Sequence, residues 1–433
     1  MLVDFRVRNY RSFADEAFIQ MDAAKAFKEH PECLIETSAG KYLKSLAIYG
    51  ANASGKSNLI SAVSAFRKLV LTSAKNNSTD RIATHPFALS DENLAAPTMY
   101  EIRFVIDGLF HRYGCEVTAE KIVSEWLFVT EKFGTATGRK IFTREEGRID
   151  YGKSYRGARV SGAELLPNTL LLSRLDQMNA EVPVRVVQWM KKLAVVSALQ
   201  DERYEGFSVK QLEEADNREK IVAFTRLADA GIADIGKRDV PMEEIPSLIR
   251  EIIAKKNMPL PMEVIFKRPM NNGEGMADFS MDNDESAGTA KMFCLSGMWL
   301  DILAKGGVAF VDEIEAKLHP LLTRQLVRMF NSSDVNPHGA QLVFVTHDTN
   351  LLAYGDLRRD QIWFCEKNRR GESTLYSLAE IKDPDLKRKN ALVEENYIKG
   401  RYGAVPFFGG MEALTRLLRN GEEDGEDGHG QGN

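Results

Sequence analysis

One short segment near the amino terminus constrains the fold of this chain more than any other feature. Residues 50–57 read Gly-Ala-Asn-Ala-Ser-Gly-Lys-Ser and fit the phosphate-loop pattern G-x-x-x-x-G-K-[ST] without a mismatch. An apolar run at 44–50 precedes the loop, and residues 57–71 follow it with apolar side chains at helical spacing. The sequence therefore predicts a strand, a glycine-bounded loop and a helix in succession, which is the context that this loop requires.

The residue types of the phosphate loop suit the binding of a nucleotide. Glycines let the backbone N–H groups turn toward the phosphates, Lys56 supplies a mobile positive charge, and the Ser57 hydroxyl can ligate Mg²⁺. The helix that begins here adds the positive end of its dipole. The candidate nucleotide-binding residues are Gly50, Ala51, Asn52, Ala53, Ser54, Gly55, Lys56, Ser57 and Asn58.

A second segment places two carboxylates at the end of an apolar strand. Residues 308–311 are all apolar and lead directly into Asp312 and Glu313. Adjacent carboxylates at a strand end are costly unless a metal ion or a hydrogen-bond donor uses them. We assign Asp312, together with Ser57, to Mg²⁺, and Glu313 to the orientation and polarisation of an attacking water. A solvated pair of loop carboxylates is the alternative.

A third segment has a histidine in the equivalent position. Residues 342–345 form the next apolar strand, which ends in Thr346, His347 and Asp348. Because His347 follows the strand after Glu313, we assign it to the detection of the γ-phosphate. Glu313 and His347 are therefore the candidate catalytic residues.

Composition limits the class of protein. The net charge of −5 argues against a protein that coats DNA along most of its surface, although it permits a local basic groove around Arg67 and Lys68 or around residues 387–389. No apolar run reaches the roughly 18 residues that a membrane-spanning helix needs. The four cysteines are scattered without a CxxC pair, which favours reduced thiols in a cytoplasmic protein.

The order of elements predicts an α/β fold with a mixed or parallel sheet. Residues 98–145 read as a β-meander that starts with a hairpin at Asp107 and Gly108. Residues 165–257 read as mostly helical, and short apolar strands return after residue 286.

We divide the chain at three places. Residues 1–150 form the first half of a nucleotide-binding head, with the phosphate loop and the meander. Residues 151–280 form a mainly helical insertion, and residues 281–415 form the second half of the head. Residues 416–433 are rich in glycine and acidic side chains, which predicts a disordered tail.

Taken together, these segments resemble the ATPase head of the ABC superfamily. The nearest resemblance is to stand-alone ATPases of bacterial phage-defence and abortive-infection loci, of the RloA or AbiL type. It covers about residues 1–130 and 285–408, including Asn9-Tyr-Arg-Ser-Phe, Asp312-Glu-Ile-Glu-Ala-Lys-Leu-His-Pro and Gly400-Arg-Tyr-Gly. The resemblance implies an ABC-type P-loop head that binds ATP and Mg²⁺ and hydrolyses ATP.

The resemblance also implies a signature segment, which we place at Ser286, Ala287 and Gly288, at the start of an apolar helix. In the family, two heads pair head to tail with ATP between the phosphate loop of one and the signature of the other. We therefore expect a homodimer, alone or within a higher oligomer. The signature reads SAG where transporters carry SGG, and no glutamine marks the family's Q-loop. His85 is the candidate for that position.

Several functions fit such a head. The first is the sensor or regulatory subunit of an anti-phage defence system, which controls a separate effector, a Toprim/RloB-like or HNH nuclease, in response to DNA or a phage-encoded trigger. The alternative is a DNA-repair or chromosome-maintenance ATPase of the RecF or SMC class. The absence of heptads between Ser57 and Ser286 argues against an SMC arm but not against a RecF-like head.

Two further functions are less favoured. An enzyme with its own Toprim nuclease domain, as in OLD proteins, needs more residues than follow His347. We therefore read Glu366 as the end of another ATPase strand. A transporter subunit lacks support because nothing in the sequence indicates a membrane partner.

Overall fold

The computed structural model describes residues 1–131, 138–256, 260–383, 386, 392–406, 415 and 418. Within them the strands are β1 (Leu2–Arg8), β2 (Ala17–Gln20), β3 (Leu34–Thr37), β4 (Gly40–Leu43), β5 (Ser45–Tyr49), β6 (Thr98–Ile106), β7 (Leu109–Val117), β8 (Ile122–Thr130), β9 (Arg139–Glu145), β10 (Arg148–Tyr151), β11 (Leu193–Ser197), β12 (Asp234–Asp239), β13 (Met262–Pro269), β14 (Met276–Ser280), β15 (Val308–Asp312), β16 (Gln341–Val345), β17 (Ile362–Lys367) and β18 (Ser373–Ser377). The predicted tail at 416–433 lies outside the described residues, except for Leu418.

The α-helices of the same ranges vary widely in length. They are α1 (Lys56–Thr72), α2 (Asp91–Ala95), α3 (Leu171–Gln177), α4 (Glu181–Lys191), α5 (Glu205–Gln211), α6 (Ala215–Thr225), α7 (Ser247–Lys256), α8 (Ala287–Lys305), α9 (Pro320–Asn331), α10 (Asn350–Ala353) and α11 (Val393–Ile398).

The central sheet has the strand order β11-β15-β16-β5-β17-β18. Strands β11, β15, β16, β5 and β17 are parallel to their neighbours, and β18 closes the edge antiparallel to β17. The three strands predicted to carry site residues, β5, β15 and β16, are therefore neighbours. Because parallel strands end on the same side of a sheet, the residues that follow them meet at one edge.

Both faces of the central sheet are covered, as its apolar strands predict. Alternate residues of each strand enter two different core clusters: Ile48, Phe310 and Val345 lie in one, whereas Tyr49 and Val311 lie in the other. Successive side chains of a strand point to opposite faces of the sheet, and here both faces are covered by apolar residues. These strands therefore read as continuous hydrophobic runs.

The second large sheet is antiparallel, with the order β10-β9-β8-β7-β6-β1-β2. It contains the predicted β-meander, and the hairpin at Asp107 and Gly108 joins β6 to β7. Helix α1 packs between this sheet and the central one: Phe66 stacks on Tyr100 of β6 with ring centroids 5.3 Å apart, and the helix also contacts β15. The two sheets and the helices around them confirm the α/β fold class, with parallel and antiparallel strands.

The mainly helical insertion predicted for 151–280 is wrong in part. Strand β11 pairs in parallel with β15 and so belongs to the central sheet, and β12, β13 and β14 form a small antiparallel sheet. Residues 193–196 are continuously apolar. Such a short run is compatible both with a buried strand and with a buried helix segment, because periodicity cannot distinguish the two. In β12, by contrast, the buried Ile235 lies among charged residues and a glycine along the sequence, so the strand has a weak apolar pattern.

Candidate functional site

The phosphate loop connects β5 to α1, as the sequence predicts. A side chain at Gly50 would collide with the backbone oxygen of Cys365, and one at Gly55 would collide with the hydroxyl of Ser373. Gly55 also has a φ of 116°, a conformation that L side chains rarely adopt. Glycine is therefore required at both positions by the close approach of the segment 365–373.

Lys56 is almost completely buried inside the loop. Its ammonium donates to the backbone oxygens of Gly50 and Ala51, each at 2.8 Å. Burial lowers the pKa of Lys56 from its ordinary value, and nearby carboxylates act in the opposite direction. The positive charge therefore lies where the loop turns, in position to exchange backbone oxygens for phosphate oxygens.

The acidic pair lies next to the phosphate loop. The hydroxyl of Ser57 donates to Oδ1 of Asp312 at 3.0 Å. Burial raises the pKa of Asp312, and the hydrogen bond from Ser57 partly offsets this. Glu313 follows in the left-handed region with a φ of 55°, which for a non-glycine residue costs about 1–3 kcal/mol and is typical of functional sites.

A cleft of about 470 Å³ lies over the loop. It is lined by Asn52, Ala53, Ser54, Gly55, Lys56, Ser57, Asn58, Glu313, Val345, His347 and Lys367. The structure thus brings together candidates from three distant segments. We call this space the phosphate cleft.

His347 lies in the phosphate cleft at the end of β16. Burial and the neighbouring Lys56 charge lower the pKa of His347, so the neutral imidazole is favoured near pH 7. Its backbone N–H donates to Oε1 of Glu315 at 2.6 Å. Glu315 was not among the sequence-based candidates, because a third carboxylate after Asp312 and Glu313 carries no signal of its own.

Two serines that the sequence did not indicate, Ser12 and Ser373, hold the phosphate loop through hydrogen bonds. Ser12 accepts a hydrogen bond from Asn58 at 2.7 Å, and its backbone oxygen accepts one from the N–H of Ser373 at 2.7 Å. The hydroxyl of Ser373 donates to the backbone oxygen of Ser54. Residues 9–13 carried a family resemblance, but their sequence gave no indication of which loop they contact.

The signature segment (residues 286–288) begins α8, as predicted. The side chain of Ser286 caps the helix by accepting from the N–H of Thr289 at 3.1 Å. Ser286 and Ala287 are exposed, and none of the segment's residues lines the phosphate cleft of the same chain. The segment thus places the amino terminus of a helix at the surface of the molecule.

His85, the candidate for the missing Q-loop residue, lines a different cavity of about 330 Å³ with Tyr10 and Lys68. It does not line the phosphate cleft.

Arg67, one of the residues in a suggested basic groove, is half-buried and donates to the backbone oxygen of Met190 at 3.3 Å. Its role between α1 and α4 is therefore structural, and the other suggested cluster, 387–389, lies outside the described residues.

The residues beside the phosphate loop fit a magnesium ion. The Ser57 hydroxyl and the Asp312 carboxylate converge, and Mg²⁺ in nucleotide sites takes only one or two such protein oxygens, with phosphates and waters completing the shell. In the part of the chain that the structure describes, no group of three or more His, Cys, Asp or Glu side chains is arranged to hold a metal.

The cysteines and the helices bear on two further expectations. Cys33, Cys115, Cys294 and Cys365 are all buried and free, as their scattered spacing indicates. Across the ranges covered by the structure, none of the helices combines the length and the apolar character needed to span a bilayer.

Comparison with known proteins places this geometry in a family. A family model described as "AAA domain, putative AbiEii toxin, Type IV TA system" matches residues 45–353. No curated protein matches the sequence.

Among solved structures, the chain is similar to the SMC head domain from Thermotoga maritima, with 14% identity, a TM-score of 0.39, and coverage of 88% of this chain and 99% of that chain. It is also similar to cbiO1 from Clostridium perfringens, part of the ABC transporter complex cbiONQ, with 12% identity, a TM-score of 0.27, and coverage of 86% and 95%. Because the family model spans most of the sequence, including the phosphate loop, the acidic pair and His347, the chain belongs to the family of AAA domains described as putative AbiEii toxin, Type IV TA system.

Proposed function

We propose that this protein binds Mg²⁺·ATP in the phosphate cleft and hydrolyses it. The observation that carries the proposal is the convergence of Lys56, Ser57, Asp312, Glu313 and His347 from three chain segments at one edge of the central sheet. Membership of an AAA family supports the same activity. A phosphate-bearing ligand with a metal ion accounts together for the buried lysine, the Ser57–Asp312 oxygen pair and the left-handed backbone of Glu313 around one cleft.

Each residue of the cleft has a distinct role in this proposal. The backbone N–H groups of the loop and Lys56 bind the phosphates, and Ser57 and Asp312 hold Mg²⁺, which neutralises phosphate charge when bound. Glu313 orients and polarises the attacking water. His347 contacts the γ-phosphate as a neutral donor and so distinguishes ATP from ADP.

We further propose that the active species is a head-to-tail homodimer, which can form part of a higher oligomer. The exposed start of α8, with its N-terminal dipole, is suited to a phosphate but lies outside its own cleft. Ser286 and the N–H groups near Gly288 then complete the γ-phosphate shell of the partner's ATP. ATP holds the dimer together, and hydrolysis releases it.

At the cellular level we propose a regulatory ATPase of an anti-phage defence system, related to the RloA or AbiL type. The support is the sequence resemblance and the family description, which refers to a toxin of a toxin–antitoxin system. The protein would control a separate effector, a Toprim/RloB-like or HNH nuclease, in response to DNA or a phage-encoded trigger.

The enzymatic proposal is tested by phosphate release from ATP by the purified chain, with Mg²⁺ and with EDTA. We expect slow hydrolysis that requires Mg²⁺ and rises with protein concentration, because the site is completed by a second subunit. Absence of hydrolysis at every concentration would contradict it.

The defence role is tested by phage challenge of cells that carry the locus with and without Glu313→Gln. Equal protection would contradict that role, and strong stimulation of hydrolysis by DNA without any protection would favour the DNA-maintenance alternative.

A further inference from the structure

A lysine with no exposed surface lies in α8, close to the start of the helix that carries the signature segment. Lys291 is 0% exposed. A buried ammonium is costly unless it has hydrogen-bond acceptors. Its Nζ donates to the backbone oxygen of Ile314 at 3.4 Å and to that of Ala316 at close range. The charged ammonium of Lys291 is therefore bound by the turn that follows the acidic pair.

That turn, residues 313–317, has an unusual backbone. Its first residue, Glu313, and its last, Lys317, have φ values of 55° and 60°, both in the left-handed region. Such residues persist only where surrounding contacts determine their conformation. The two backbone oxygens that accept from Lys291 lie between these strained positions, so the lysine supplies the required contact from outside the turn.

The 313–317 turn reaches both candidate catalytic groups. Glu313 belongs to it, and Glu315 accepts the backbone N–H of His347 at 2.6 Å. The N–H of Ile314 also donates to the backbone oxygen of Val345 at 3.3 Å. A shift of the turn would therefore displace Glu313 and His347 together.

The other side of the turn faces the signature segment. A Cβ placed on Gly288 would lie 3.1 Å from the backbone oxygen of Lys317, so the glycine packs closely on the end of the turn. The Lys317 ammonium pairs with the buried carboxylate of Asp201 at 2.8 Å. Burial lowers the pKa of Lys291 to about 8, which leaves it charged at neutral pH.

We propose that Lys291 is a positioning residue for ATP hydrolysis, which fixes the 313–317 turn to helix α8 and thereby holds Glu313 and His347 in place. The proposal rests on the proposed function, because it concerns the same cleft. It also gives a route within one chain from the signature segment, which faces the partner's nucleotide, to the chain's own catalytic groups. Lys291 acts through the turn and does not touch the nucleotide.

The test is the Lys291→Met variant, which keeps the length of the side chain and removes its charge and donors. We expect kcat to fall by about 10- to 100-fold, because a misplacement of about 1 Å can cost up to about 100-fold. The Kd of a fluorescent ATP analogue should stay within about twofold of the wild-type value, since the phosphate loop is unchanged. Lys305→Met is the matched control, because Lys305 is an exposed lysine of the same helix that pairs with Asp301. It should retain the wild-type kcat.

A second variant tests whether the effect passes through the turn. Glu315→Ala removes the acceptor for the His347 N–H. If Lys291 and Glu315 act through one turn, the double variant should lose no more kcat than the more damaging single variant, whereas independent effects would multiply. A merely structural role for Lys291 would change the melting temperature and leave the two losses independent.

Three results would overturn the inference: a Lys291→Met kcat equal to that of the wild type, a Kd that weakens in parallel with kcat, or losses that multiply in the double variant. If Lys291→Met does not fold, Lys291→Gln, which removes the charge but keeps an N–H donor, takes its place. We then expect a smaller fall in kcat at an unchanged Kd, and a parallel change in Kd or losses that multiply with Glu315→Ala would overturn the inference. Failure of the proposed function is a different result, since the wild-type chain itself would then show no Mg²⁺-dependent hydrolysis.

Discussion

The hydroxyl of Ser57 donates to Oδ1 of Asp312 across 255 positions of sequence. Strands β5 and β15 are separated only by β16, so their ends face one another across a single strand. If both oxygens serve Mg²⁺, Asp312→Asn should raise the Mg²⁺ concentration needed for half-maximal ATPase activity by about tenfold or more, because a charged ligand becomes neutral. A magnesium titration measures this. Asp334→Asn, at an exposed position away from the cleft, is the control, and an identical titration curve for both variants would refute the assignment.

Lys56→Ala should weaken ATP binding by about 100-fold, near the upper range for a hydrogen bond to a charged group. The measurement is calorimetric or fluorescence titration in the presence of Mg²⁺. Lys68→Ala removes an exposed lysine of the same helix and should bind ATP normally. Full affinity in the Lys56→Ala variant would remove the phosphate loop from the proposed site.

Glu313→Gln keeps the shape of the side chain and removes the charge that polarises water. We expect ATP to bind normally while hydrolysis slows by about 100-fold or more, as for loss of a general base. The variant should accumulate as an ATP-bound dimer, which light scattering detects. Glu366→Gln, at the exposed end of β17, is the control and should hydrolyse ATP at the wild-type rate. A wild-type rate in Glu313→Gln would mean that another residue positions the water.

The Ser286 prediction separates action on the partner's ATP from simple capping of α8. The Lys56→Ala chain and the Ser286→Arg chain should each be inactive alone. In a mixed dimer, one site carries both lesions and the other pairs an intact Lys56 with an intact Ser286, so partial ATPase activity should return.

Demonstrated heterodimers without any recovery would favour the capping role or a requirement for two intact sites. Nucleotide-dependent dimerisation of the Ser286→Arg chain then distinguishes these two, since loss of a cap costs about 1 kcal/mol of stability and leaves dimerisation intact.

A fifth prediction concerns stability outside the cleft. Glu125 is fully buried and accepts from the N–H groups of Leu171 and Leu172 at 2.6 and 2.9 Å and from the hydroxyl of Tyr113 at 3.1 Å. Glu125→Ala should lower the free energy of unfolding by about 3 kcal/mol, because these donors lose their acceptor. Urea denaturation measures the change. Glu145→Ala, exposed on the neighbouring strand β9, should change it by less than about 0.5 kcal/mol, and equal losses in both variants would contradict the prediction.

Much of the site could be predicted because its parts are local. The phosphate loop needs glycines at Gly50 and Gly55 and a lysine directly before the helix, and this pattern has a specific spacing. Strands β15 and β16 were recognisable as short apolar runs, and polar residues directly after such runs fall at one sheet edge. The meeting of Asp312, Glu313 and His347 at one sheet edge therefore follows from their positions along the chain, whereas their roles stay predictions.

Other parts of the molecule depend on contacts between distant segments. Strand β11 becomes a strand by pairing with β15, although its neighbours in sequence are helical. Glu315 gains significance from its bond to the N–H of His347, and Lys291 from two backbone oxygens that lie in the turn after β15. In sequence both are ordinary charged residues, which usually indicate a solvated face.

The sequence by itself thus determined which groups carry the candidate chemistry of this site: the loop, the carboxylates, the histidine and the strands that precede them. The tertiary structure alone decided which supporting residues hold that chemistry in place. The physical reason is that loop conformation and strand periodicity are short-range properties of neighbouring residues. Burial of a charge such as Lys291, and the acceptors that make it tolerable, are fixed only when remote segments pack together.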